Sequence, residues 1–296
     1  MLQYEIPIVG EADQLLYEGL PLLAPVLLQL GEGAVLIGGL ATAAWLAARP
    51  VGLPVRATRD IDLGINRAVL GLRGGRAVVG KLLIDHDFRP GYNGEAFRFA
   101  RATNVGDFVV DVLVAPGASR EEPPIIEPGL PTLAAPGLAY ALLRGPVPLR
   151  LVLDGPDRRS VDLTTVHLDA AFVLKAALAA SGVRTRPDRR IVDTVDAVML
   201  GAATASDPAS LEHLRTHRHR SDVSAAVRWM RERFASAESA AARRVTDYIG
   251  SANGGEWAAD VARRFTTQLE PARPPARSSA SARGNRGVRP GRSSGR

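Results

Sequence analysis

Three aspartates are the residues of this chain whose types and spacing could do chemistry. Thr58-Arg59-Asp60-Ile61-Asp62-Leu63 lies in a stretch, Arg56 to Ile65, where polar and apolar residues alternate. That is the period of a half-buried strand. Side chains two apart on a strand share a face, so Asp60 and Asp62 are expected side by side. Neighbouring carboxylates repel unless a cation lies between them or one is protonated. Asp111 stands inside Phe108-Val109-Val110-Asp111-Val112-Leu113-Val114, an apolar run that a charge enters only with a partner. Three strand-borne carboxylates converging on one point make a hard oxygen site suited to Mg²⁺. Two such ions about 4 Å apart stabilise the attacking and leaving oxygens of phosphoryl or nucleotidyl transfer. The competing reading is a structural network in which Asp60 and Asp62 pair with Arg56, Arg59 or Arg98.

Other residues must position that chemistry. Ala34-Val35-Leu36-Ile37 is a short apolar run ending at Gly38-Gly39, and Leu40 to Arg49 is alanine-rich. The pattern predicts strand, glycine turn and helix, with N-terminal amides able to receive a phosphate. Further on, Lys175 is the only charged residue between Asp169 and Arg184. Its helix is apolar nearly all round and therefore buried. A lysine there needs an anion, which a triphosphate, Asp193 or Asp196 would supply. The chain has two lysines against 35 arginines, and lysine offers a compact point charge suited to a phosphate oxygen.

Taken in order, these segments resemble the polymerase-β-type nucleotidyltransferase superfamily. Leu36-Ile37-Gly38-Gly39 is followed by Thr58-Arg59-Asp60-Ile61-Asp62-Leu63 and a later strand acid, Asp111. Within that superfamily the chain is most similar to the AbiEii-type nucleotidyltransferases, the toxin component of some toxin–antitoxin and phage-defence systems. Their second set of motifs has its counterpart in Phe172-Val173-Leu174-Lys175, Arg184, Arg186 and Val192-Asp193-Thr194-Val195-Asp196. The resemblance covers roughly residues 30 to 205. It implies a mixed sheet with flanking helices, an NTP substrate and a two-metal Mg²⁺ site on Asp60, Asp62 and Asp111. It also implies phosphate contacts from Gly38, Gly39 and Lys175, with Asp193 supporting Lys175 or the acceptor. The implied acceptor is RNA, particularly tRNA, or a protein side chain, and a cognate antitoxin is the implied partner. Two positions depart from the pattern: Gly39 replaces a frequent serine, and Val192 replaces the lysine of a Lys-Asp element. A small-molecule nucleotidyltransferase of the antibiotic-modifying kind, or a non-catalytic binding protein of the same fold, are the alternatives.

Composition bounds these readings. The chain has 296 residues, no cysteine, 37 basic and 31 acidic side chains, and a net charge of +6. Seven arginines and no acid lie between Pro271 and Arg296, so removing them leaves 30 bases against 31 acids. The basicity belongs to a tail whose Arg, Ser, Gly, Pro and Ala composition predicts disorder. The absence of cysteine excludes disulfides and thiolate zinc sites and fits a reducing cytosol, so a cytoplasmic location is expected. Acids at Glu5, Glu11 and Asp13 leave no secretory signal pattern. The uncharged stretch Gly33–Ala48 is sixteen residues, short of the roughly 20 that span a bilayer. No membrane association is expected.

The expected fold class is α+β, with a nucleotidyltransferase domain over 1–166, a helical domain over 167–270 and the tail over 271–296. Strands are also expected at Ala96–Ala100, Phe108–Val114, Leu138–Leu143, Pro148–Leu153 and Ser160–His167. Helices are expected at Leu15–Leu30, interrupted by Pro21 and Pro25, and at Ala77–His86, 168–181 and 189–203. Gly75 to Leu82 nearly spells a P-loop, but Leu82 stands where the magnesium-binding hydroxyl belongs. His213, His217 and His219, among arginines, read as a solvated basic face or a nucleic-acid contact before a zinc site.

Overall fold

A computed structural model describes residues 1–54, 58, 60–66, 78–115, 133–181 and 187–270, with the side chains of residues 78, 133 and 187–189 excepted. Arg56, Arg59, Arg184, Arg186 and the tail lie outside the described residues, as does the side chain of Arg189. The fold is α+β. Strands are β1 (Leu2–Pro7), β2 (Ala34–Ile37), β3 (Ile61–Ile65), β4 (Arg89–Pro90), β5 (Arg98–Thr103), β6 (Gly106–Val114), β7 (Leu133–Ala134), β8 (Val147–Asp154) and β9 (Arg159–Thr165). The helices up to β8 are α1 (Glu11–Leu30), α2 (Gly38–Ala48), α3 (Val78–Asp85) and α4 (Leu138–Leu143). After β9, among the described residues, only helices follow: α5 (Leu168–Ser181), α6 (Pro187–Ala205), α7 (Pro208–Thr216), α8 (Ser221–Arg233), α9 (Ala240–Ile249) and α10 (Gly254–Leu269).

The strands form one mixed sheet in the order β1-β8-β9-β2-β3-β6-β5-β4, with β7 extending β6 beyond the end of β5. Its centre explains the all-apolar β2: Ala34, Val35, Leu36 and Ile37 are buried between β3 and β9. Alternation then sends side chains to two different cores. Leu36, Ile61, Leu63, Val110 and Val112 join α1 on one face. Val35, Ile37 and Leu113 join α5, α6 and the later helices on the other. That second core runs through the expected junction, because Val166 and Leu168 both belong to it. Helix α5 is buried from Leu168 to Ala177 without a polar stripe, as its composition predicts. Among the described residues no helix is long and apolar enough to cross a membrane.

Several elements differ from expectation. Helix α1 is continuous across Pro21 and Pro25. Each proline removes one backbone donor, but both lie off the stripe Leu16, Leu20, Leu23, Val26 and Leu30, whose burial holds the helix together. Leu138–Leu143 is helix, not strand. Left-handed Gly137 (φ 85°) starts it, and Leu138, Tyr140 and Ala141 turn into the core. Strand β1 was not expected, although Leu2, Tyr4 and Ile6 alternate with more exposed residues. Most relevant to the site, the strand expected from Arg56 begins only at Ile61, so Asp60 precedes it and Asp62 lies within it.

Candidate functional site: an acidic row beside a glycine turn

Four strands bring the site together along one register line. Ile37 of β2 pairs with Asp62 of β3, Asp62 with Asp111 of β6, and Asp111 with Arg98 of β5. Directly paired residues project from the same face of a sheet. Asp62, Asp111 and Arg98 therefore share the face of Ile37, which the C-terminal helices cover.

Two carboxylates directly opposite one another are destabilising unless compensated, and each has its own compensation. Asp111 is 7% exposed, and Arg98 grips it bidentately: Nε donates to Oδ1 at 2.7 Å and Nη2 to Oδ2 at 2.8 Å. Burial pushes the Asp111 carboxyl above its ordinary value, and the charge of Asp60 adds to this, while the guanidinium opposes both. Arg98 is in turn held firmly protonated, chiefly by its hydrogen bond to Asp111, and lies 3.4 Å from Glu95. Asp62 meets the start of α2 instead. Gly38 has φ +70°, and a Cβ built on it would fall 1.7 Å from Asp62 Oδ2. The carboxylate thus sits against the Gly38 backbone at the positive end of α2, where the helix dipole favours an anion.

Asp60 acts electrostatically on both Asp111 and Arg98, which places it beside the row. The structure thus brings together Gly38, Asp60, Asp62 and Asp111. Hard carboxylate oxygens at Asp60 and Asp62 suit Mg²⁺. Asp111 does not fit as a third ligand in this arrangement, because both its oxygens are engaged by Arg98. Among the described residues no group of three or more such side chains is spaced to hold a metal ion.

Lys175 and Asp193 form a second, buried constellation. Lys175 is 4% exposed, and its Nζ lies 3.0 Å from Asp193 Oδ1 and 2.8 Å from Asp196 Oδ2. Burial alone would lower the ammonium pKa, but Asp196 and Asp193 outweigh it and hold the group above its ordinary value. The internal ion pair open to Lys175 in the sequence is thus formed, with Asp196 as much a partner as Asp193. Gly39, Thr42 and Asp196 line one narrow cleft between α2 and α6. The triad therefore reaches the glycine turn through Asp196, with Lys175 itself turned inward. Comparison with protein-family models, curated proteins and solved structures finds no match.

A third cluster corrects the reading of the histidines. Asp169, at the start of α5, is fully buried. It accepts hydrogen bonds from Tyr140 (2.5 Å) and Arg144, and its Oδ2 lies 2.8 Å from His213 Nδ1. His213 also packs against His217, with ring centroids 4.3 Å apart and the rings tilted by 42°. His213 is accordingly part of a buried polar network and not of a solvated basic face. The signal was Asp169 itself, an acid heading an apolar helix. Burial, then the nearby Arg144 charge, lowers the pKa of half-buried His167 beside this network.

Proposed function

We propose that the chain is a nucleotidyltransferase of the polymerase-β type, transferring NMP from an NTP to an acceptor with release of pyrophosphate. The observation that carries this reading is the pairing of Asp62 with Asp111 in register, with the Gly38 turn of α2 against the Asp62 carboxylate. A fold that places two aspartates opposite each other in a half-buried position accepts a repulsion that a ligand of opposite charge would put to use. In this reading Asp60 and Asp62 hold Mg²⁺, which when bound neutralises the triphosphate. The first amides of α2, at Gly38 and Gly39, lie where phosphate oxygens would be received. Asp111, both of whose oxygens Arg98 engages, closes the end of the acidic row and keeps its charge fixed beside the metal-binding pair. Lys175 supports the site from behind through Asp196, which lines the cleft with Gly39. RNA, in particular tRNA, is the acceptor class this reading favours, with a cytoplasmic setting and an antitoxin partner.

The test uses each labelled NTP with Mg²⁺ and total RNA or cell extract, run beside Asp60→Ala and Asp62→Ala. Label should pass to RNA with the wild-type chain and fall at least about a hundredfold in either variant, the scale of removing one preorganised electrostatic group. Absence of transfer, or variants equal to wild type, refutes the assignment. A second reading, a non-catalytic protein that uses its carboxylates structurally, is favoured by the bidentate Arg98–Asp111 pair. It predicts NTP binding without turnover.

A further inference from the structure

The helical half carries a charged feature that the transfer reading leaves unused. Arg218 precedes α8, and Arg228 and Arg231 lie one turn apart on it. All three are exposed and border one open cleft, whose floor is half-buried Val227 above Leu214 and Leu269. Arginines close by are paired: Arg215 with Glu212, Arg220 with Asp222, and Arg263 and Arg264 with Asp260. Arg218, Arg228 and Arg231 have no carboxylate partner among the described residues, and Nε of Arg218 contacts only His219. Three cations face one cleft whose lining, among the described residues, holds a single carboxylate, Glu270, so positive charge is in excess there and favours an anionic occupant.

Charge and shape narrow the occupant. The chain leaves the cleft at Glu270 and continues into seven arginines with no acid, so its own tail is repelled from this surface. Among the described residues His219 is the one aromatic ring in the lining, with no Phe, Tyr or Trp, a small stacking surface compared with the row of rings on which single-stranded bases are held. Its floor is aliphatic and its charged rim is mostly guanidinium, with Glu270 the one acid, complementary to carboxylates spaced around aliphatic side chains. We propose that this cleft docks an acidic, aliphatic peptide segment of a partner protein. Carboxylates seat on Arg218, Arg228 and Arg231, and an aliphatic side chain covers Val227.

The cleft shares no residue with the acidic row or the Lys175 triad, so this proposal stands or falls apart from the transfer reading. The test is fluorescence anisotropy of the full chain with a labelled helical peptide of glutamate and leucine, at about 0.15 M salt to suppress unspecific attraction. A glutamine-for-glutamate version of the peptide and a single-stranded RNA oligonucleotide serve as comparisons. Arg228→Ala with Arg231→Ala, and separately Ser224→Glu, change exposed positions of α8. Circular dichroism and melting should therefore match wild type. Both changes should weaken the acidic peptide by about tenfold or more, and the glutamine peptide should bind wild type correspondingly weakly. Peptide affinity unchanged by either variant overturns the proposal. So does an RNA oligonucleotide that binds more tightly than the peptide and is weakened by the same substitutions.

Discussion

The Asp62 carboxylate occupies the space that a side chain at Gly38 would need. A Cβ at Gly38 would lie 1.7 Å from Oδ2, 2.6 Å from Cγ and 2.8 Å from Cβ of Asp62, at a backbone φ of +70°. The glycine and the acid are therefore one feature: the left-handed turn lets β2 pass into α2, and the close approach seats the carboxylate on the helix start.

Gly38→Ala should consequently cost both stability and function. The left-handed conformation alone costs an alanine roughly 1–2 kcal/mol, and the contact with Asp62 adds to it. Because Asp62 Cβ takes part, a change of rotamer cannot relieve the clash. Adding Asp62→Gly should recover part of the stability, while nucleotidyl transfer stays lost. Urea denaturation of the two variants checks the first point. Equal stability of Gly38→Ala and wild type would show that Asp62 does not lie there.

Arg98→Met should destabilise the fold by about 2–4 kcal/mol at neutral pH, because it strands a buried carboxylate. The sign of the pH effect follows from the raised pKa of Asp111. The folded state holds this proton more tightly than the unfolded chain. The penalty of the charged form is therefore absent in acid and grows as pH rises through the folded pKa. Without Arg98 that pKa moves higher still. The deficit of Arg98→Met against wild type should shrink as pH is lowered, and Arg98→Met with Asp111→Asn should be restored at all pH values.

Lys175→Met should cost about 3–5 kcal/mol, because it removes the buried cation that Asp193 and Asp196 share. The raised lysine pKa puts the triad's contribution below the ordinary value of 10.5, to be lost as pH rises through the folded one. Replacing all three, Lys175→Met with Asp193→Asn and Asp196→Asn, should regain most of the stability. Transfer by that triple variant separates two roles. Retained activity means that the triad only holds α5 against α6, and lost activity means that its charges, reaching the cleft through Asp196, serve the site.

How far the site was legible depended on the range of each interaction. Asp62 and Asp111 were readable because strand alternation is a local property, and an acid in an apolar run is conspicuous wherever the strand pairs. Their direct pairing was not readable, since register between β3 and β6 is set by the intervening chain and the core. Arg98 was named, with Arg56 and Arg59, as a partner for Asp60 and Asp62, whereas the pairing of β5 with β6 gives it to Asp111. Lys175 was readable from the apolar composition of its helix. The proline-containing α1 and the Leu138–Leu143 helix were misread for one reason: burial against distant elements overrode local propensity.

Acid should loosen the junction between α4, α5 and α7 before it affects the acidic row. His167 is half-buried beside Asp169, Arg144 and His213, and its pKa lies below the ordinary 6.5. Below that ordinary value the unfolded chain takes up a proton that the folded state resists. Stability is therefore full above about 6.5 and is lost as pH falls through the folded pKa. Of the charges around it, Arg144 and His213 pull the imidazole down, and Asp169 and Asp207 pull it up. The melting temperature should fall between pH 7 and pH 5.5. His167→Gln should flatten that slope while leaving the value at pH 8 nearly unchanged. A slope that persists in His167→Gln would move the effect to another group in the Tyr140–Asp169–His213 network.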